Sequence, residues 1–315
     1  MILICGLRHS SIGLGDTEGV YIPAFERAQK MSMKLFYNIY NKDYAFFLIV
    51  KICSNFMNVQ TWLFMITIPL ISAIGYLIYK ESNSPILSFI MFIALNFYEF
   101  LSFSALRQAL AVTFIILAYF QIKDKKIVKF LIFVMLGSLF HQTALLFLVA
   151  YPLSNMKIGI KQFIIIIFGF LIANLLNSSL MNIIFSFITA DRYQLYISKG
   201  VVLNHMSFYI NCCIVFLCYY IGNKKISQNK SLKIQYNMII LGTFLSAFTN
   251  IIGEFYRLSM YFSIFEIILL PNMIQTLKDS NRKIVYVTVL FVFIIYFFIA
   301  TIYNANIAEY KFFWQ

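Results

Sequence analysis

Charged residues are scarce in this chain of 315 residues, where Asp, Glu, Lys and Arg together make up 12%. A soluble domain carries about 25% charged residues. The hydrophobic share is 61%, more apolar surface than a soluble core of this size could bury. The composition therefore excludes a soluble globular protein and predicts an all-α, polytopic integral membrane protein.

Histidine, cysteine and paired acids are also few. The three histidines are far apart in the chain, and the five cysteines form no CxxC pair. We therefore expect no metal site and no cofactor. The sequence contains no P-loop, GxSxG, HExxH or DxD motif. The missing DxD acid pair argues against a metal-dependent enzyme that uses nucleotide sugars.

Apolar runs, by contrast, fill most of the chain. We predict about ten transmembrane or half-membrane helices within one membrane domain over residues 1–315. An outer loop and a short interfacial helix occupy residues 6–61, a helical bundle residues 62–303, and a second outer loop residues 178–200. The predicted spans are Trp62–Tyr79, Pro85–Phe100, Phe103–Ile122, Ile127–Pro152, Phe163–Leu176, His205–Ile221, Ile234–Ile252, Tyr256–Thr276 and Ile284–Tyr303.

Basic residues lie in short clusters between the apolar runs, which is typical of cytoplasmic loops and not of a nucleic-acid surface. All of these loops fall on one side only if residues 127–152 enter the membrane and return. Gly137, Ser138 and His141 offer a break in the right place, so we predict a broken hairpin with His141 near its outer tip. The basic loops contain Lys80, Lys123–Lys129, Lys157 and Lys161, Lys224–Lys233, and Lys278–Lys283.

Two polar pairs interrupt the apolar runs, Arg107 with Gln108 and His141 with Gln142. A charge at bilayer depth costs roughly 3 kcal/mol, so such groups usually face protein or an aqueous cavity. Arg107 is either an anion clamp suited to diphosphate or a side chain that snorkels to the interface or pairs with Glu99. His141 is either a general base or acid toward a sugar hydroxyl or a polar break that caps two half-helices.

Further candidates lie toward both ends of the chain. Glu254 and Arg257 are either a mutually satisfied ion pair or ligands for a hydroxyl and a phosphate. Arg8, Asp16 and Tyr21 lie on a glycine-containing N-terminal segment that could bind substrate.

The second outer loop supplies the last candidates, Arg192 and Tyr193 beside Asp191. They either contact carbohydrate or belong to a plain solvated loop. With the hairpin topology, all charged candidates fall on the non-cytoplasmic side.

Short motifs along nearly the whole chain support a more specific hypothesis. They are Gly6-Leu7-Arg8, Gly15-Asp16-Thr17, Tyr21, Leu106-Arg107-Gln108-Ala109, Phe140-His141-Gln142-Thr143-Ala144, Glu254-Phe255-Tyr256-Arg257, Tyr261-Phe262, and Tyr310 with Phe312-Phe313-Trp314. In these motifs the chain resembles the EpsG family, the Wzy-like polymerases of exopolysaccharide, capsule and O-antigen synthesis. Family members usually carry a transmembrane helix before the Arg8 segment, so we expect the chain to begin downstream of such a helix.

The resemblance implies transfer of a glycan between polyprenyl-diphosphate-linked oligosaccharides on the outer face of a bacterial cytoplasmic membrane. Its partners would be that lipid-linked oligosaccharide, the lipid bilayer, and a chain-length regulator and flippase of the same pathway. Arg107 and Arg257 would hold the diphosphate, and His141 would accept a proton, without a metal.

Two other functions stay open. A transporter or flippase of lipid-linked oligosaccharide could use the same arginines, although repeated halves would then be expected. A membrane acyltransferase could use the same histidine.

Overall fold

The structure, a computed structural model, describes residues 1–12, 16–175, 206–250, 253–303 and 310–315. Its helices, in chain order, are α1 (Ile2–Gly6), α2 (Ile22–Lys30), α3 (Met33–Ile39), α4 (Tyr44–Cys53), α5 (Val59–Glu81), α6 (Pro85–Ala94), α7 (Phe97–Glu99), α8 (Leu106–Lys123), α9 (Ile127–Phe140), α10 (Ala150–Leu153), α11 (Ile160–Leu175), α12 (Met206–Gln228), α13 (Lys230–Ser246), α14 (Glu254–Ser263), α15 (Glu266–Gln275) and α16 (Asp279–Tyr303). Two π-helical turns (Thr17–Tyr21, Phe100–Ser104) and two 3-10 helices (Gln142–Val149, Ala247–Asn250) complete the set.

The all-α, polytopic membrane fold is confirmed. Among the described residues, four helices are long and apolar enough to cross a membrane, or six if each of two bent helix pairs counts as one span. Shorter apolar helices accompany them. The chain packs as two compact units, one of Met1–Leu148 with Lys278–Gln315 and one of Val149–Leu277.

In the first unit, the polar segment predicted as an outer loop is largely helical. Ser32 caps α3 by accepting a hydrogen bond from the backbone N–H of Leu35. The Lys51 ammonium closes the end of α2 by donating to the carbonyl oxygens of Ala28 and Met31. These short helices bury an aromatic cluster made of Tyr21, Phe25, Phe36, Phe46, Phe47 and Trp62.

The predicted span Pro85–Phe100 is not one continuous helix. Helix α6 ends at Ala94, and the helical segment Phe97–Ser104 that follows is bent by 70° relative to it. The turn is made at Asn96, which takes a left-handed conformation with φ of 63°, one that asparagine adopts more readily than most residues. The predicted Phe103–Ile122 span begins later, at Leu106, because the π-helical turn ends at Ser104.

Helix α8 separates two polar ends of the first unit. Arg107 lies in its first turn and Lys123 in its last, and 18 residues of helix rise about 27 Å. Lys123 forms an ion pair with Glu81 at the end of α5. The basic turn that follows α8 (Lys123–Lys129) therefore lies beside the end of α5. Arg107 is therefore at the end of α8 opposite the basic turn.

The predicted broken hairpin is present. Helix α9 ends at Phe140, and the backbone of the next residue, His141, is extended with φ of −155° and ψ of 112°. The rings of Phe130 and Phe147 lie 6.2 Å apart between centroids, whereas 17 residues of unbroken helix would separate them by about 25 Å. The chain therefore doubles back at His141.

Both ends of the described chain meet in the first unit. Arg8 and Phe312 form an antiparallel bridge. The backbone N–H of His9 donates to the Lys311 oxygen at 2.8 Å, and that of Phe313 donates to the Leu7 oxygen at 2.9 Å.

In the second unit, α13 packs against α12, α14, α11 and α15. Gln162 donates to the side-chain oxygen of Asn237 at 3.0 Å, and Asn237 donates to the Met156 oxygen at 3.0 Å. These bonds fix the segment before α11 against α13. Helix α13 also approaches α14 closely at Gly242, where a Cβ would meet Ser263 Oγ and lie 2.9 Å from its backbone nitrogen.

We expect Gly242→Ala to destabilise the second unit by about 1–3 kcal/mol, because overpacking against backbone forces the helices apart. Gly75→Ala in α5 is the matched control, since a Cβ there meets nothing within 4 Å and alanine favours a helix over glycine by up to about 1 kcal/mol. Thermal unfolding of both purified variants measures the difference. Equal stability of the two variants would contradict the close approach.

Candidate functional site

The candidate site is built around Asp43, a residue between α3 and α4. Arg107 Nη1 donates to Asp43 Oδ2 at 2.8 Å. His141 Nδ1 lies 3.5 Å from the same oxygen. The backbone N–H of Gln142 donates to Oδ1 at 3.2 Å. Asp43 therefore joins the first turn of α8 to the break of the hairpin.

Burial makes this an enclosed polar cluster. The Asp43 side chain is 6% exposed, against 26% for Arg107 and 17% for His141. Two aromatic rings, Tyr21 and Phe47, each lie 6.0 Å from the guanidinium carbon of Arg107. Such cation–π contacts stabilise a cation away from water. Arg107 Nε is buried with no hydrogen-bond partner among the described residues.

The charges of the cluster act on the groups that lie outside the membrane-spanning helices. Burial by itself would raise the pKa of the Asp43 carboxyl. His141, then Arg107 and the Gln142 N–H, outweigh burial, so that this pKa lies below its ordinary value. Burial raises the pKa of the Tyr21 hydroxyl, although Arg107 opposes the shift. Asp43 is therefore an anion and Tyr21 a neutral phenol at neutral pH.

The lowered pKa of Asp43 predicts a pH dependence of stability. A carboxyl whose pKa is lower in the folded state stabilises the fold above its unfolded pKa, and this contribution is lost as pH falls through the folded pKa. We expect the unfolding temperature of the wild type to fall on acidification by about 2–4 °C per kcal/mol lost. Asp43→Asn should show a smaller drop over the same acidic range. Identical profiles would contradict the assignment.

Arg8, predicted to bind substrate, lies in the same unit but is fully buried. Its guanidinium donates to the oxygens of Cys5 and Ile12 at 2.6 and 3.3 Å, and to the Phe103 oxygen at 3.4 Å. Burial lowers the pKa of Arg8 to about 10, which leaves it protonated at neutral pH. These contacts give Arg8 a structural role, and its contact with substrate stays a prediction.

Three further candidates lie in the first unit: Gln108, Gln142 and Asp16. Gln108 follows Arg107 and is buried, whereas the side chain of Gln142 is exposed. Asp16 is half-buried and precedes the π-helical turn that ends at Tyr21. Of these three residues, Gln142 contacts Asp43, and it does so through its backbone. The roles of all three toward substrate stay predictions.

Glu254 and Arg257 belong to the second unit and open α14. Arg257 Nε lies 3.4 Å from Glu254 Oε2, which matches the ion-pair alternative. Their roles toward substrate stay predictions. Arg192 and Tyr193 lie outside the described residues.

Asp43 was missed because its partners are distant in sequence. Arg107 is 64 positions away, and no local spacing links the two. A signal was available nonetheless: the chain has only 12 acids, and Asp43 directly precedes an apolar helix. Among the described residues, the acid paired with Arg107 is Asp43 and not Glu99, the alternative considered from the sequence.

Fold and site together define a class: a polytopic helical membrane protein with a buried arginine–aspartate–histidine cluster at a helix break. Within the described residues, no group of three His, Cys, Asp or Glu side chains could hold a metal ion. The EpsG family matches residues 1–314, so the chain belongs to the EpsG family. No curated protein and no solved structure matches the chain. The family places the protein in exopolysaccharide synthesis as a polymerase-associated membrane protein.

Proposed function

We propose that the chain is a polysaccharide polymerase that transfers a glycan between polyprenyl-diphosphate-linked oligosaccharide repeat units. The reaction would take place on the outer face of a bacterial cytoplasmic membrane, in exopolysaccharide, capsule or O-antigen synthesis. The observation that supports it best is the cluster of Arg107 and His141 around Asp43, at the end of α8 opposite the basic turn. Because basic loops stay in the cytoplasm, that end faces outward.

The proposed reaction uses two side chains, His141 for the proton and Arg107 for the leaving group. The acceptor hydroxyl oxygen attacks the anomeric carbon of the donor sugar, and the bond from that carbon to the diphosphate oxygen breaks with its electron pair on the diphosphate. His141 Nε2 takes the hydroxyl proton as general base. Arg107, whose side chain is 26% exposed, offsets the charge that grows on the leaving group.

The second unit enters the proposal only through predicted roles. Arg257 is a candidate for phosphate and Glu254 for a hydroxyl, on the family motif alone. The cluster in the first unit carries the proposal by itself. A metal ion is not part of the proposed step.

The direct test supplies purified protein with short lipid-linked repeat units. A polymerase yields a ladder of longer lipid-linked chains. A flippase moves label across a liposome membrane and yields no ladder, and an acyltransferase leaves chain length unchanged while adding the mass of an acyl group. Absence of a ladder, with either alternative product present, would overturn the proposal.

The outer location predicts a labelling pattern for single cysteines in a cysteine-free background. Gln142→Cys, whose side chain is exposed, should react with a membrane-impermeant thiol reagent on intact cells. Lys126→Cys in the basic turn and Lys157→Cys should react only after permeabilisation. Labelling of position 157 from outside would contradict the topology.

A further inference from the structure

We propose that Asp43 is a positioning residue that holds His141 in the one tautomer able to act as a base on the acceptor hydroxyl. The inference rests on the proposed function for its catalytic meaning. Its structural part, the tautomer of His141, stands on the geometry of the first unit alone.

The position of the Asp43 carboxylate is fixed from three directions. Oδ1 accepts the Gln142 N–H, and Oδ2 accepts from Arg107. The backbone of Asp43 is left-handed with φ of 53° and ψ of 49°, a conformation that aspartate adopts more readily than most residues. The carboxylate is thus held in place before any substrate arrives.

His141 is fixed by the same groups. Its backbone leaves α9 in an extended conformation, and the next residue, Gln142, is bonded to Asp43. This turns Nδ1 toward Oδ2 at 3.5 Å. That separation is longer than a good hydrogen bond, and Nδ1 is buried with no hydrogen-bond partner among the described residues; catalytic hydrogen bonds often shorten only when substrate is bound.

A carboxylate can only accept, so it favours the proton on Nδ1 and leaves the lone pair on Nε2. A ring nitrogen with a free lone pair is what a general base needs. With the opposite tautomer, Nε2 would carry a hydrogen and could not take the proton of the acceptor. The geometry therefore assigns Asp43 the choice of tautomer.

Asparagine at position 43 cannot reproduce this pattern. Two donors, the Gln142 N–H and the Arg107 guanidinium, already face the two carboxylate oxygens. An amide has only one oxygen, so its NH₂ must face either the Gln142 N–H or the Arg107 guanidinium. In the orientation that keeps the Gln142 bond, the NH₂ also faces His141 Nδ1, which then accepts, and the ring proton moves to Nε2.

The test combines nitrogen NMR with kinetics on the full-length protein in lipid. Three histidines give three pairs of ring-nitrogen signals after ¹⁵N-histidine labelling, and His141→Gln identifies the pair of interest. At a pH where the ring is neutral, the wild type should show a protonated Nδ1, and Asp43→Asn a protonated Nε2. Asp124→Asn is the matched control, because Asp124 pairs with Lys126 at the basic turn and its side chain is 54% exposed.

In the ladder assay, Asp43→Asn should lower kcat by about 100-fold or more, the lower end of the range for general acid–base catalysis. The KM for the acceptor should stay near that of the wild type. A role limited to folding would lower the amount of folded protein without changing the tautomer of His141.

Two results would overturn the inference: an unprotonated Nδ1 in the wild type, or wild-type kcat in Asp43→Asn. If His141→Gln is inactive while Asp43→Asn is fully active, the positioning role fails and the proposed function stands. If the wild type makes no ladder, the proposed function fails, and the NMR measurement still decides whether Asp43 sets the tautomer.

Discussion

Arg107→Ala is expected to abolish polymer formation and to destabilise the protein by about 3 kcal/mol, the order found when one partner of a buried ion pair is removed. Asp43 would stay buried, with a side chain 6% exposed, and would lose its guanidinium partner. The leaving diphosphate would also lose a donor. Polymer length in a strain lacking the gene, together with thermal unfolding of purified protein, measures both effects.

Two further variants separate charge from stability. Asp43→Ala with Arg107→Ala should recover part of the stability, because no buried charge is left unpaired, but should remain inactive. Arg107→Lys should keep most of the stability and lose much of the activity, since an ammonium cannot contact Asp43 and a phosphate with the same planar donors. Full-length polymer from Arg107→Ala at normal protein level would show that the site is wrong.

Replacing His141 by alanine or glutamine should lower the rate of chain extension by about 10²–10⁴-fold, the usual contribution of a general base. The histidine is only 17% exposed, so alanine leaves a cavity, whereas glutamine fills most of the same space and should keep the protein level near that of the wild type. The ladder assay at saturating substrate measures the rate.

His9→Gln provides the matched control for this prediction. His9 is half-buried in the same unit, and its Nδ1 lies 2.8 Å from Ser11 Oγ. We expect wild-type polymer from this variant. If the His141 and His9 variants were equally active, the imidazole of His141 would not be the general base.

The sequence predicted the hairpin well because two independent signals agree there. The basic loops before and after residues 127–152 both belong in the cytoplasm, so this segment must return to the side from which it enters. Gly137 and His141 mark where its helix can break. Bends inside an apolar run carry a weaker signal: Asn96 is a single polar residue, and it turns the chain by 70° after α6. A hydropathy pattern records how apolar a segment is and not the direction of its axis.

The site was predicted in part for a related reason. Arg107 and His141 stand out because each is costly in lipid. Asp43 lies in a polar segment, where an acid is ordinary, and its importance comes only from a fold that brings residues from three elements together. No local sequence pattern specifies the contact of Asp43 with Arg107 and His141, because the three residues are far apart in the chain.

The bridge between Arg8 and Phe312 has a practical consequence for truncation and tagging. Removing 310–315 would leave the Leu7 oxygen and the His9 N–H without their partners. It would also loosen Arg8, which bonds to Thr17 on the turn that ends at Tyr21. A deletion series could then misassign the last residues to catalysis, and an affinity tag placed directly after Gln315 could inactivate the protein without touching substrate. A flexible spacer before the tag avoids the second error, and thermal unfolding of each truncated variant exposes the first.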